Sequence, residues 1–129
     1  MNLLLDTHVL LWTLVDDGRI TPVARRAIQD TGNTVHVSAA SAWEIAIKAA
    51  LKRVRIPGGV AEWLPEELQR SGFTELPILI RHALAVERLP RHHADPFDRL
   101  LIAQAKVERL TLVTHDRTLR RYDVAILST

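Results

Sequence analysis

Four carboxylates in this sequence of 129 residues stand where a divalent cation could be held. Asp6 ends the apolar run Asn2-Leu3-Leu4-Leu5, and Asp116 follows Leu110-Thr111-Leu112-Val113 by way of Thr114 and His115. Glu44 interrupts Ala42-Trp43-Glu44-Ile45-Ala46-Ile47, and also faces Ile47 and Leu51 at helical spacing. Asp98 heads a stripe with Leu101, Ile102 and Ala105 at the i+3, i+4 and i+7 positions of a helix. A carboxylate among such neighbours is costly to bury unless it is paired or bound to a cation. Carboxylates that gather also repel, which raises their pKa values when no cation is present. Hard oxygen donors in a chain without cysteine suit Mg²⁺ or Mn²⁺, and Mg²⁺ keeps waters while binding substrate phosphate. An ion so held can activate water and stabilise charge on a phosphodiester during in-line displacement.

Each acid also has an ordinary structural use. Asp6 can cap the helix that follows it, and Asp116 can serve a turn or a cap. Glu44 can pair with Lys48 on a helix surface, for about 0.2–0.5 kcal/mol. Asp95-Pro96-Phe97-Asp98 has the form of a capping box, in which Asp95 is the cap rather than a ligand. The start of a helix favours the ionised form of Asp98. Thr114 is placed to donate a hydrogen bond to a metal-bound water.

The elements that must position these residues follow from periodicity and punctuation. Residues 2–5 read as a buried strand, and residues 8–15 as a helix ending at Asp16-Asp17-Gly18. Thr21-Pro22 starts a second helix to about residue 30, and residues 34–37 form a second strand. Ser38 or Ser41 caps a long helix to about residue 52. Pro57-Gly58-Gly59 is a loop, with a helix following through residues 62–70. A third strand is expected over 73–76, a helix over 78–87, and a loop carrying His92 and His93 over 89–94. A strong helix runs from Asp95-Pro96 to about residue 109, then a strand over 110–113, a short helix over 116–121 and an edge strand over 124–127. Strands that alternate with helices specify a parallel sheet covered on both faces, joined by right-handed crossovers. Ligands of such sheets sit beyond the carboxyl ends of the strands, which is where Asp6 and Asp116 fall. The chain reads as one α/β domain over residues 1–129.

Composition excludes several classes of function. Apolar residues make up 47%, enough for a core, yet no run of eighteen spans a membrane. The N-terminus lacks the basic and cleavable segments of a signal peptide, so the cytoplasm is the expected location. The absence of cysteine removes disulfides, thiolate metal sites and a thiol nucleophile. Net charge is +2, a modest basic excess. Basic clusters at Lys48, Lys52, Arg53 and Arg55, at Arg91, and at Arg117, Arg120 and Arg121 read as solvated helix ends. If the carboxylates gather round a cation, the remaining surface is more basic and suits an anionic partner.

Four ordered blocks carry a resemblance: Asp6-Thr7-His8 with Leu11-Trp12; Ser41-Ala42-Trp43-Glu44-Ile45; Asp95-Pro96-Phe97-Asp98-Arg99; and Thr114-His115-Asp116. Together they resemble PIN-domain proteins over the whole chain, and most closely the VapC-type toxins of prokaryotic toxin–antitoxin modules. The resemblance implies a three-layer α/β/α sandwich with a central, mostly parallel sheet of four to five strands. It implies an endoribonuclease dependent on Mg²⁺, for which Mn²⁺ can substitute, with Asp6, Glu44, Asp98 and Asp116 as metal-holding catalytic acids. Thr7, Thr114, Arg99 and His93 are candidates to assist the substrate. Structured RNA such as tRNA or rRNA is the implied substrate, a homodimer the implied assembly, and a cognate antitoxin, its tail in the active-site groove, the implied partner.

Other residues take secondary readings. His92 and His93 are expected to form a loop pair in which one imidazole caps or packs; contact with RNA phosphate or acid–base service is the other use. His8 can pack or hold Thr7, His115 adjoins a proposed ligand, and neither has the spacing of a zinc site. Trp12 and Trp43 are expected in the core rather than stacking bases. The amphipathic segment of Trp63 is a candidate surface for a dimer or antitoxin partner. Two rival enzyme classes fit less well. A haloacid-dehalogenase-type phosphatase needs a second Asp where His8 stands, and a receiver domain needs an Asp after its second or third strand. A catalytically silent RNA- or partner-binding module would be expected to lose acids that are present here.

Overall fold

The computed structural model describes residues 1–15 and 18–129; the expected helix end at Asp16 and Asp17 lies outside the described residues. Strand β1 (Asn2–Leu5) is the centre of the sheet, and its three leucines are wholly buried. Such a strand is apolar throughout because both of its faces are covered. It pairs in parallel with β2 (Thr34–Ser38) on one side and with β4 (Thr111–Thr114) on the other. The outer strands β3 (Thr74–Leu76) and β5 (Ile126–Ser128) complete a five-stranded, all-parallel sheet of order β3-β2-β1-β4-β5.

Alternation along the strands divides the core into two layers. Leu3, Leu5, Val35, Val37 and Val113 pack with α1 (Thr7–Leu14), α2 (Pro22–Gln29), Ile45 of α3 (Ala39–Ala50) and α4 (Val60–Ser71). Leu4 and Leu112 point the other way, onto Leu101, Ile102 and Ala105 of α6 (Pro96–Glu108) and onto Leu119 and Tyr122. Helix α5 (Ile80–Ala85) lies against α6. The result is the expected three-layer sandwich. No helix among the described residues is long and apolar enough to cross a membrane.

Caps set the helix starts as the sequence indicated. Thr21 caps α2 ahead of Pro22, and Asp95 accepts from the amides of Phe97 and Asp98 to start α6. Ser38, not Ser41, caps α3, its hydroxyl accepting from the amide of Ala40 at 3.0 Å. Ser38 also donates to Gln104 Oε1 at 2.5 Å, and Gln104 donates to the Pro77 carbonyl, so a buried amide fixes α6 against the end of β2. Differences from expectation lie at element ends. Helix α4 begins two residues early, and β5 begins two residues late. Helix α5 stops at Ala85 and passes into a 3-10 turn, Val86–Arg88. There the Val86 carbonyl accepts from the Leu89 amide and from Arg99, and Arg99 also takes the Leu89 carbonyl.

Candidate functional site

Strand order makes a place for a site. From β1 the chain proceeds to β2 on one side, whereas β4 on its other side proceeds to β5, so the crevice beyond β1 and β4 is a topological switch point. Asp6 stands at its head. The Asp6 amide donates to the Val113 carbonyl at 3.0 Å, extending the β1–β4 ladder by one residue. Oδ1 of Asp6 accepts from the Val9 amide at 2.8 Å and caps α1, while Oδ2 accepts from the Thr114 hydroxyl at 2.5 Å. Capping and a site role therefore coexist. Burial pushes the Asp6 carboxyl above its ordinary pKa, against the pull of Thr114, the Val9 amide and His8.

Asp98 comes to the same crevice from the first turn of α6. Its Oδ2 lies 2.7 Å from His93 Nε2, so the acid side of the apparent capping box is engaged by the imidazole. Burial pushes Asp98 up to about 6; the charges of Asp95 and Asp6 add to this, and His93 opposes it. Asp116 begins the 3-10 turn Arg117–Arg121, with Oδ1 accepting from both the amide and the hydroxyl of Thr118. Partial burial pushes its pKa up, but the Thr118 hydrogen bonds and the charges of His93 and His115 more than offset this and leave it lowered. Its Oδ2 lies 3.6 Å from His93 Nε2.

An open cleft of about 550 Å³ is lined by Asp6, Asp98 and Asp116 together with His8, His115 and Arg117. Asp98 and Asp116 also meet His93, which stands beside this lining; the three each offer a ligand atom, and these atoms lie within 4.8 Å of one another. The donor set fits a divalent cation: Asp6 and Asp98, whose pKa values burial raises, would have their ionised forms favoured by one.

Glu44 sits beside this cleft rather than in its lining. It is buried on α3, where Oε1 accepts from the Thr7 hydroxyl at 2.6 Å and Oε2 pairs with Lys48 at 2.9 Å. The i,i+4 pair is thus present, and the charge of Glu44 is still felt at Asp6. The other buried residues of α3 are Ala40, Ser41 and Ile45, whereas Ile47 and Leu51, three and seven positions on from Glu44, are exposed. Trp43 shares that outer stripe. It is 60% exposed and packs edge-on against Phe97, contrary to its expected core position. Trp12 and Trp63 pack against the core, and Leu64 and Leu68 are the buried side chains of the Trp63 helix.

Three assisting roles change with the geometry. Thr7 is buried and spends its proton on Glu44, so it positions an acid instead of meeting substrate. Thr114 has one proton and gives it to Asp6 in this arrangement. Arg99 turns its terminal nitrogens to the carbonyls of Val86, Leu89, Pro90 and His93 and to the Tyr122 hydroxyl, clamping a loop. The histidine pair divides its two readings. His92 packs edge-on against Tyr122, and His93 joins the acids. At the rim, His8 is exposed, and His115 holds the Thr129 carbonyl through Nδ1 while packing on Trp12. Sequence reasoning did not place Arg117 or these two imidazoles on the cleft; their adjacency to Asp6 and Asp116 was the available signal.

Comparisons with known proteins agree with this geometry. The family model described as PIN domain matches residues 3–125. Ribonuclease VapC22 of Mycobacterium tuberculosis (strain ATCC 25618 / H37Rv) is 34% identical over 125 residues, covering 94% of this chain and 92% of that protein. Among solved structures, VapBC2 from Rickettsia felis, bound to a DNA fragment from its promoter, superposes with a TM-score of 0.75 at 14% identity. That match covers 100% of this chain and 99% of the other. DNA-bound VapBC from Salmonella typhimurium gives a TM-score of 0.69 at 16% identity, covering 99% and 98%.

Proposed function

We propose that this chain, which belongs to the PIN-domain family, is a metal-dependent endoribonuclease and the toxin of a toxin–antitoxin pair, its residues 1–129 forming one domain. The observation that carries the reading is the convergence of Asp6, Asp98 and Asp116 on one cleft at the switch point of the sheet. Asp6 and Asp98 have their carboxyls pushed up by burial, as acids do that lack the cation they are built to share. Likeness to a protein named as a ribonuclease supports RNA as the substrate.

Asp6, Asp98 and Asp116 would hold Mg²⁺ or Mn²⁺, with Glu44 adding negative charge from behind Thr7. When bound, such an ion supplies an activated water and a counter-charge for the phosphodiester. The chain's own residues do the positioning. Thr114 and the Val9 amide hold the Asp6 carboxylate at the mouth of the sheet, and Thr118 holds that of Asp116. Arg117, His8 and His115 rim the cleft with groups able to meet phosphate oxygens. Structured RNA such as tRNA or rRNA, the cytoplasm as location and a homodimer as assembly complete the reading. A cognate antitoxin is supported by likeness to VapBC complexes, and the exposed stripe of Trp43, Ile47 and Leu51 gives such a partner an apolar surface.

Incubation of the antitoxin-free chain with total RNA and defined tRNAs tests this, with Mg²⁺, Mn²⁺ or chelator. Discrete fragments that require the ion are expected. RNA that is bound but left intact under every condition would favour the silent binding module.

A further inference from the structure

His93 is held more firmly than a connecting loop requires. Arg99 Nη1 donates to the carbonyls of Pro90 at 2.9 Å and His93 at 3.5 Å, and Nη2 to those of Val86 at 3.2 Å and Leu89 at 3.4 Å. Next to it, His92 is packed on Tyr122 with ring centroids 5.1 Å apart. The His93 imidazole is therefore aimed at the acids, with a side chain only 23% exposed. Nε2 stands 2.7 Å from Asp98 Oδ2 and 3.6 Å from Asp116 Oδ2. Donors that share one ion at bonds of about 2.0–2.2 Å lie roughly 3–4.4 Å apart. To share an ion, Nε2 and Asp98 Oδ2 at 2.7 Å would part slightly, while any pair near the 4.8 Å limit would close slightly.

Resting on the reading of this cleft as a cation site, we propose that His93 Nε2 is itself a metal donor, so that the cleft takes a borderline divalent ion such as Mn²⁺ or Co²⁺ in preference to Mg²⁺. Mg²⁺ is held by oxygen and sheds its waters reluctantly. An imidazole nitrogen adds little for that ion, whereas for first-row transition ions it is a favoured ligand, increasingly so from Mn²⁺ to Co²⁺. Three carboxylates alone would leave the choice to availability; the nitrogen tilts it.

The test binds Mn²⁺ and Mg²⁺ separately to the full chain by calorimetry, in the natural protein, His93→Gln and Asp98→Asn. Electron spin-echo spectra of the Mn²⁺ form are recorded beside them. Glutamine keeps a hydrogen-bonding group near Asp98 but offers no imidazole nitrogen. The natural Mn²⁺ form should show coupling to an imidazole ¹⁴N, lost in His93→Gln. That variant should bind Mn²⁺ on the order of tenfold more weakly while Mg²⁺ binding changes less than about twofold. No nitrogen coupling in the natural protein, or equal losses for both ions, would overturn the proposal and leave His93 a hydrogen-bond partner of Asp98. Ion binding that is absent, or that survives Asp98→Asn unchanged, would overturn the cation site itself and this inference with it.

Discussion

The hydroxyl of Thr114 reaches across 108 positions of sequence to donate to Asp6 Oδ2 at 2.5 Å, and Thr114 Oγ1 in turn accepts from the Asp116 amide at 3.0 Å. The pairing of Leu5 with Val113 dictates this, because it sets Asp6, just beyond β1, beside Thr114, the last residue of β4. One side chain thus orients the first and last acids of the site.

Thr114→Val keeps the shape and removes both bonds. Oδ2 of the buried Asp6 carboxylate loses its donor, at a cost of about 1–3 kcal/mol, while Oδ1 keeps the Val9 amide. Urea unfolding should show that loss, and Thr114→Ser should recover most of it. A valine variant as stable as the natural protein would mean that the hydroxyl does not hold Asp6.

The raised pKa of Asp98 fixes a pH dependence. A carboxyl at about 6 when folded and near its ordinary value when unfolded binds more protons in the folded state between these limits. Its contribution to stability is therefore full below pH 4 and is lost as pH rises through 6. Asp6, also raised, acts in the same direction. In chelator, stability of the natural protein relative to Asp98→Asn should fall from pH 4 to 6.5. Divalent ion, which needs the ionised form, should raise the melting temperature at pH 7.5 and much less at pH 5. A difference that is flat with pH would contradict the burial argument.

Asp98→Asn should lower RNA cleavage by on the order of 100-fold or more, beyond the range seen for residues that merely support a ligand. The fold should persist, and the metal-free melting temperature should hold or rise, because a buried like charge is gone. Circular dichroism melts beside a cleavage assay check both. A variant that cuts normally would remove Asp98 from the site.

Arg99→Lys tests the clamp on the histidine loop. Lysine lacks the planar fork that serves carbonyls on both sides. Hydrogen exchange over residues 89–94 should speed up by at least about tenfold, equivalent to about 1.4 kcal/mol of local opening. Unchanged protection would show that the loop is held by something other than Arg99.

Much of this architecture was legible in the sequence. The five strands, the Thr21-Pro22 start and the Asp95 cap follow from local rules that tertiary packing did not override. Asp6, Asp98 and Asp116 were legible because strand ends and a helix start place them on one edge. His93 was legible only as a candidate to assist the substrate; its place against Asp98 was not, since a loop imidazole carries no periodicity and its loop is held by Arg99, six residues later and on another element. Trp43 misled for a related reason. In an apolar helix with two apolar faces, composition does not say which one meets the sheet, and here Ala40 and Ile45 do. The short extents of α5 and β5 are likewise set by partners outside their own segments.

The most direct test of the central claim is the chemistry of the cut ends. Cleavage by a water activated at the acid cleft leaves a 5′-phosphate and a 3′-hydroxyl, with one oxygen from solvent in the phosphate. Fragments made with Mn²⁺ in ¹⁸O-labelled water should carry that label on the 5′-phosphate, and none should form in chelator or with Asp98→Asn. Fragments ending in a 2′,3′-cyclic phosphate, formed equally in chelator, would contradict the account.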